Sequence, residues 1–213
     1  MKSLLHSTPR WLPTKTVLSL LLVAGLLGTL FLSYHVGTRI NPNREHQVGD
    51  RIDSLNGVAI YFNGGVNNVV SRNLSADGYN LGLSYQCVEF VKRYYYERFG
   101  HRMPDSYGHA RDFFDLTLVD GALNQRRNLL QFVNGTTAGP PQADDIVIFR
   151  PSLLNPYGHV AVVAAVNPES IEIAQQNAGP FSPSRELLAF KKRGPGWAID
   201  HPRVQGWLRR ISQ

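Results

Sequence analysis

The sequence predicts an α+β protein: a cysteine-bearing helix packed on an antiparallel β-sheet, preceded by a single transmembrane helix. Three observations predict it. Val17 to Tyr34, VLSLLLVAGLLGTLFLSY, carries no charge. The stretch from Tyr85 to Phe99 has no Gly or Pro, follows a Gly-, Ser- and Asn-rich run, and stops at Gly100, which reads as one helix of about four turns. Beyond it, short apolar and β-branched runs alternate with turn residues, as strands do. Helices first and strands after argue for α+β rather than an alternating α/β pattern.

Residues 1–16 hold Lys2, Arg10 and Lys15 and no acid, so this segment is expected to stay in the cytoplasm. Residues 17–36 form the expected anchor, near the lower length limit for crossing a bilayer. A cleaved signal peptide would end in a small-x-small site. This run ends Leu30-Phe31-Leu32-Ser33-Tyr34-His35, which favours an uncleaved anchor. The orientation follows: a single-pass protein of a bacterial inner membrane, with residue 37 onward on the periplasmic side. Residues 37–56, with Asn41-Pro42-Asn43, read as a linker, and residues 57–213 as the globular domain.

Within that domain Gly57 to Asn63 reads as a short strand, and the polar segment to Ser84 as a loop lining the site. Val88, Val91, Tyr95 and Phe99 recur at helical spacing and predict one buried face. His101, just past the helix end, reads as a capping cation. Gly108 to Asp115 suggests a short second helix, with His109 a surface or supporting histidine. Asp144 to Phe149, Gly158 to Val166, Ile171 to Asn177 and Val204 to Arg210 read as strands. Lys191-Lys192-Arg193 reads as a solvated basic patch.

The chemistry centres on Cys87, the only cysteine of 213 residues. One cysteine excludes an intramolecular disulfide, and without a resolving partner a thiol redox role is disfavoured. In the first helical turn, unpaired N–H groups and the helix dipole favour a thiolate. Gly158-His159 opens an apolar run, and Gln175-Gln176-Asn177 ends the next one. A nucleophile, a base and a polar group to orient the base are the parts of a cysteine hydrolase. Glu172 is at odd spacing from Gln175 and should face away. A net charge of +6 and a pI of about 9.6 suit an anionic partner, yet zinc spacing and nucleic-acid motifs are missing, so nucleic acid is not expected. Neither a metal nor a cofactor is expected, and the protein is expected to be a monomer.

Gly57-Val58-Ala59-Ile60-Tyr61, Tyr85-Gln86-Cys87-Val88-Glu89-Phe90-Val91, Gly158-His159-Val160-Ala161-Val162, Ile171 to Asn177 and Gly206-Trp207-Leu208 occur in this order. Over about residues 57–210 the chain resembles the CHAP family, the cysteine- and histidine-dependent amidohydrolases/peptidases of papain-like fold. Within that family it is most similar to the amidase domains of glutathionylspermidine synthetase/amidases. The resemblance implies Cys87 as nucleophile and His159 as base, with Gln175 where the family usually has Glu. Gln86 and Asn177 become supporting residues. An amide can orient imidazole, as in papain-type enzymes, but supplies no charge to imidazolium. The expected function is amide hydrolysis through a thioester, in peptidoglycan. The alternatives are a glutathione–polyamine amide as substrate, or a catalytically weak wall-binding domain.

Overall fold

The computed structural model describes residues 14–137 and 139–211. The basic segment expected to be cytoplasmic lies outside them as far as residue 13. The chain divides into two units, Met1–Gly37 and Thr38–Gln213.

The first unit is α1, Thr14–Gly37, with no buried residue and apolar side chains exposed all round. It is long and apolar enough to cross a membrane.

The second unit starts with two hairpins: β1, Arg51–Leu55, against β2, Val58–Tyr61; and β3, Arg72–Leu74, against β4, Asn80–Leu83. Then come α2, Cys87–Phe99, and a 3-10 turn at Ala110–Phe113. The remaining strands are β5, Leu123–Asn124; β6, Leu129–Val133; β7, Ile146–Phe149; β8, His159–Val166; β9, Ser170–Ala174; β10, Arg185–Arg193; β11, Gly196–Ile199; and β12, Val204–Arg209. They form one sheet in the order β11-β10-β9-β8-β7-β12-β6-β5, with every neighbouring pair antiparallel.

Period-two alternation explains why β7 and β8 read as continuous apolar runs. Ile146, Ile148, Val160 and Val162 face α2 and join Phe90, Val91, Tyr94 and Tyr95 in one core. Val147, Phe149, Ala161 and Val163 face the other way, into a second core with Leu188, Phe190 and Trp207. Fully burying one such side chain contributes ~1.5–3 kcal/mol, so both faces hold the sheet in register. The second core is closed where the turn after β6 meets β11: Gly135 N–H donates to the Trp197 carbonyl at 2.7 Å, and Trp197 N–H to that of Thr137 at 2.8 Å.

The helix begins at Cys87 itself, two residues later than its composition predicts. It is buried more broadly than one stripe, since Glu89, Lys92 and Arg93 are enclosed along with the apolar residues. It ends in a left-handed Gly100, whose N–H bonds the Tyr96 carbonyl at 2.9 Å. His101 is therefore not the expected capping cation: its Nε2 bonds the Arg127 carbonyl at 2.9 Å, and burial holds it below the usual imidazole range.

Several stretches differ from expectation. The stretch expected as linker contains β1. The segment expected as a loop before the helix holds β3 and β4. The second helix is a single 3-10 turn. Lys191-Lys192-Arg193 belongs to β10, whose Leu188 and Phe190 point into the second core while the basic side chains point out.

Candidate active site

Cys87 is positioned by a strained approach. Tyr85, two residues ahead, has φ 65°, a conformation unfavourable for a bulky side chain. β4 runs so close to the helix that a Cβ on Gly82 would lie 3.1 Å from Glu89 Cα. The cap residue Gln86 makes no side-chain bond to the helix start. Its amide is committed elsewhere: Nε2 donates to the Asn68 carbonyl at 2.6 Å, and Oε1 accepts from Asn177 Nδ2 at 2.6 Å. The N–H groups of Val160, Val88 and Cys87 lie against the sulfur.

His159 is the first residue of β8, paired with Phe149 of β7. Gly158 before it has φ 77°, and a Cβ there would meet the Phe149 carbonyl oxygen at 2.9 Å; only glycine fits that turn. The imidazole Nε2 lies 3.0 Å from Gln175 Oε1, while Nδ1 is buried with no partner. Gln175 Nε2 donates to the Pro183 carbonyl at 3.2 Å. A carbonyl only accepts, so the NH₂ end of Gln175 is fixed outward and its oxygen toward the ring. His159 then carries its proton on Nε2 and keeps the Nδ1 lone pair. Because Val160 is bonded to the thiol and follows His159 in the chain, sulfur and imidazole share one end of β8.

The electrostatics overturn one expectation. The helix-start N–H groups do favour thiolate, but desolvation outweighs them, and burial pushes the Cys87 thiol up to about 11. Burial likewise lowers His159 to about 4, opposed by the Gln175 bond and assisted by Arg203. The resting pair is neutral thiol and neutral imidazole, not thiolate and imidazolium. The alkylation rate of Cys87 with iodoacetamide should therefore rise about tenfold per pH unit above pH 7, following the thiolate fraction, and level off near pH 11. A plateau already present at pH 6 would instead mark a preformed ion pair.

Cys87, Gln86 and Asn177 line a cleft of about 330 Å³. His159 and Gln175 are buried, each 3 % exposed. Asn177 reaches the cleft differently from expectation: β9 ends at Ala174, and Asn177 turns with φ 58° instead of sharing a strand face with Gln175. Its Nδ2 also donates to the Val66 carbonyl at 2.9 Å. Glu172 does face away, bonded to Arg185 at 2.9 Å. His109 is exposed at the cleft, its ring 4.6 Å from that of Tyr157.

Sequence reasoning missed Gln176, which ties the strand end to the helix. Its Nε2 donates to Glu89 at 2.8 Å and to the Gln86 carbonyl at 2.9 Å, and its Oε1 accepts from Tyr61 N–H at 2.8 Å. The alternation of Gln175 and Gln176 was the available signal: one faces the histidine, the next the helix. Arg39 and Arg72 also line the cleft, and among the described residues no carboxylate does. Among the described residues no cluster of three His, Cys, Asp or Glu is placed to hold a metal ion.

The cysteine opens a helix that packs on an antiparallel sheet, and the histidine opens a strand of that sheet. Residues 77–177 match the family model described as CHAP domain. It is 34% identical over 101 residues to a trypanothione synthetase of Crithidia fasciculata, covering 47% of this chain and 15% of that protein. It is 29% identical over 109 residues to the bifunctional glutathionylspermidine synthetase/amidase of Escherichia coli (strain K12), covering 51% and 17%. Each match thus spans under a fifth of the relative's length. A solved structure titled as Ly7917 with the hydrolyzing product of MDP is 29% identical, covers 39% of this chain and 32% of its own, and has a TM-score of 0.29.

Proposed function

We propose that this chain is a membrane-anchored cysteine amidohydrolase that cleaves a peptide amide of peptidoglycan through Cys87 and His159. The observation that carries the reading is the Gln175–His159 bond at 3.0 Å, which leaves a buried, unpartnered Nδ1 at the strand end whose next N–H touches the thiol. His159 Nδ1 takes the thiol proton as sulfur attacks the amide carbonyl. The developing oxyanion is held by backbone N–H groups of the helix start, Cys87's among them, because the Gln86 amide is already engaged; each such donor is worth ~3 kcal/mol. His159 returns the proton to the leaving amine, and water hydrolyses the thioester.

The substrate reading rests on charge and topology. Arg39 and Arg72 line the cleft, with no carboxylate beside them among the described residues, which favours an acyl group bearing carboxylates, as wall stem peptides do, and disfavours a polyamine. α1 as an uncleaved anchor, with its basic flank in the cytoplasm, brings the domain to the wall side of the inner membrane. The second reading, a glutathione–polyamine amide, is favoured by the name of the Escherichia coli relative.

Digestion of purified peptidoglycan and of glutathionylspermidine by the full chain in detergent, followed by mass analysis, separates the two. Release of peptides from the wall polymer is expected. Hydrolysis of glutathionylspermidine alone would transfer the assignment to the second reading, and hydrolysis of neither would leave a wall-binding domain. Arg72 donates to Asn80 at 2.9 Å and lies over the Tyr107 ring at 5.4 Å. Arg72→Ala should raise KM for an acidic muropeptide by roughly tenfold, with kcat little changed, as loss of one charge-assisted contact predicts. An unchanged KM would remove Arg72 from substrate binding.

A further inference from the structure

We infer that Glu186 is a positioning residue for His159, supplying a negative charge to the imidazole through the Gln175 amide. The inference rests on the cysteine-amidohydrolase reading above. Glu186 lies on β10, paired with Ile173 of β9, one step from the end of the strand that leads to Gln175. Gln175 N–H continues that ladder, donating to the Ser184 carbonyl at 2.9 Å. The two amide hydrogens of Gln175 go to the Pro183 carbonyl and to Glu186 Oε2, both at 3.2 Å. Gln175 Oε1 accepts from His159 Nε2 at 3.0 Å.

Every link in this chain has one polarity. A carboxylate accepts from an amide N–H, and the amide oxygen accepts from an imidazole N–H. An amide polarised by a carboxylate at its NH₂ end has a more negative oxygen. When His159 takes the thiol proton, that oxygen faces an imidazolium, and the carboxylate bonded to the other end of the same amide is Glu186. Glu186 makes no ion pair among the described residues, whereas its neighbour Arg185 is held by Asp53 at 2.7 Å and Glu172 at 2.9 Å. The other charged or titratable groups around it are His201, which feels Glu186, and Arg203, which disfavours the imidazolium. The arrangement also explains why Gln is tolerated at position 175. A carboxylate there would stand where the 3.2 Å contact to Glu186 is now made, and two like charges at that distance repel.

Three full-length variants in detergent test this. Glu186→Ala should lower kcat about tenfold with KM unchanged, a fraction of the ~10²–10⁴ a general base contributes, and shift the acid limb of the pH profile. Gln175→Glu alone should lose at least as much, and Gln175→Glu with Glu186→Gln should recover to within about threefold of the parent, since the charge has moved one residue inward. Nitrogen-15 shifts of the His159 ring followed against pH give a readout independent of turnover: Nε2–H in both proteins, since the Pro183 carbonyl still fixes the amide, with the imidazole titrating lower in Glu186→Ala. These shifts test the Glu186 link even if no amide substrate is turned over, the outcome that would sink the enzymatic reading alone. An unchanged imidazole titration with unchanged kcat in Glu186→Ala, or a Gln175→Glu variant equally active whatever residue occupies 186, overturns the inference.

Discussion

Replacing Cys87 with Ala is expected to reduce amide hydrolysis by at least about 10³-fold, because no other group can form the acyl intermediate. His159→Ala should have an effect of similar size, and the double variant should be no worse than either single one, since the two act as a unit. The fold should survive. Cys87 is 7% exposed as a residue and lines the cleft, and the polar contacts of its sulfur are backbone N–H groups, so the truncation removes one small atom beside the cleft; the melting temperature should move by a few degrees at most, matching ~1 kcal/mol. The measurement is a progress curve on peptidoglycan fragments with a parallel melt. Full activity in Cys87→Ala would end the nucleophile assignment, and loss of activity with collapse of the melt would make it uninformative about chemistry, in which case Cys87→Ser, closer in volume, decides.

The neutral resting pair bears on that test. On the proposed mechanism, with the thiol pushed up to about 11 and the imidazole down to about 4, proton transfer and attack would be concerted, and Nδ1 would serve only while it is unprotonated. This part of the site was not legible in the sequence. A helix start favours thiolate, and that much follows from spacing, but desolvation is set by what the sheet buries against the sulfur. Other features divide the same way. α2 was legible because Gly residues bracket it, and β7 and β8 because both their faces are apolar. β1 was not: Arg51-Ile52-Asp53-Ser54-Leu55 is mostly polar and is held by one partner strand and by Arg185 bonding Asp53 at 2.7 Å. In β10 the alternation of Leu188 and Phe190 was present, but three consecutive basic residues read more strongly as a surface patch. Gln175 was found through its match to a family position, whereas Glu186 meets it across two strands, a proximity that only the register creates.

Glu89→Ala is expected to be the most damaging single change to stability. Glu89 is 1% exposed on α2, two residues from Cys87. Its Oε1 accepts from Arg93 Nε at 2.5 Å and from Asn73 Nδ2 at 2.9 Å, and its Oε2 from Gln176 Nε2 at 2.8 Å. Removing it leaves the buried Arg93 without a counter-charge and two amide donors without acceptors, a loss of about 3–5 kcal/mol, or roughly 10 °C in melting temperature for a domain of this size. Glu89→Gln should not rescue it. All three partners are donors, so an NH₂ in place of either oxygen meets another N–H. By contrast, replacing the pair together, Glu89→Met with Arg93→Leu, should restore much of the stability, since well-packed apolar residues often equal a buried ion pair. Activity should not return with it. Gln176 would have lost its acceptor at the helix, and Gln175, its neighbour, would no longer be held in register with His159. Thermal and denaturant melts of the four proteins, with rates measured on the folded fraction, check both halves; a Glu89→Gln protein as stable as the parent would show that the carboxylate is not needed there.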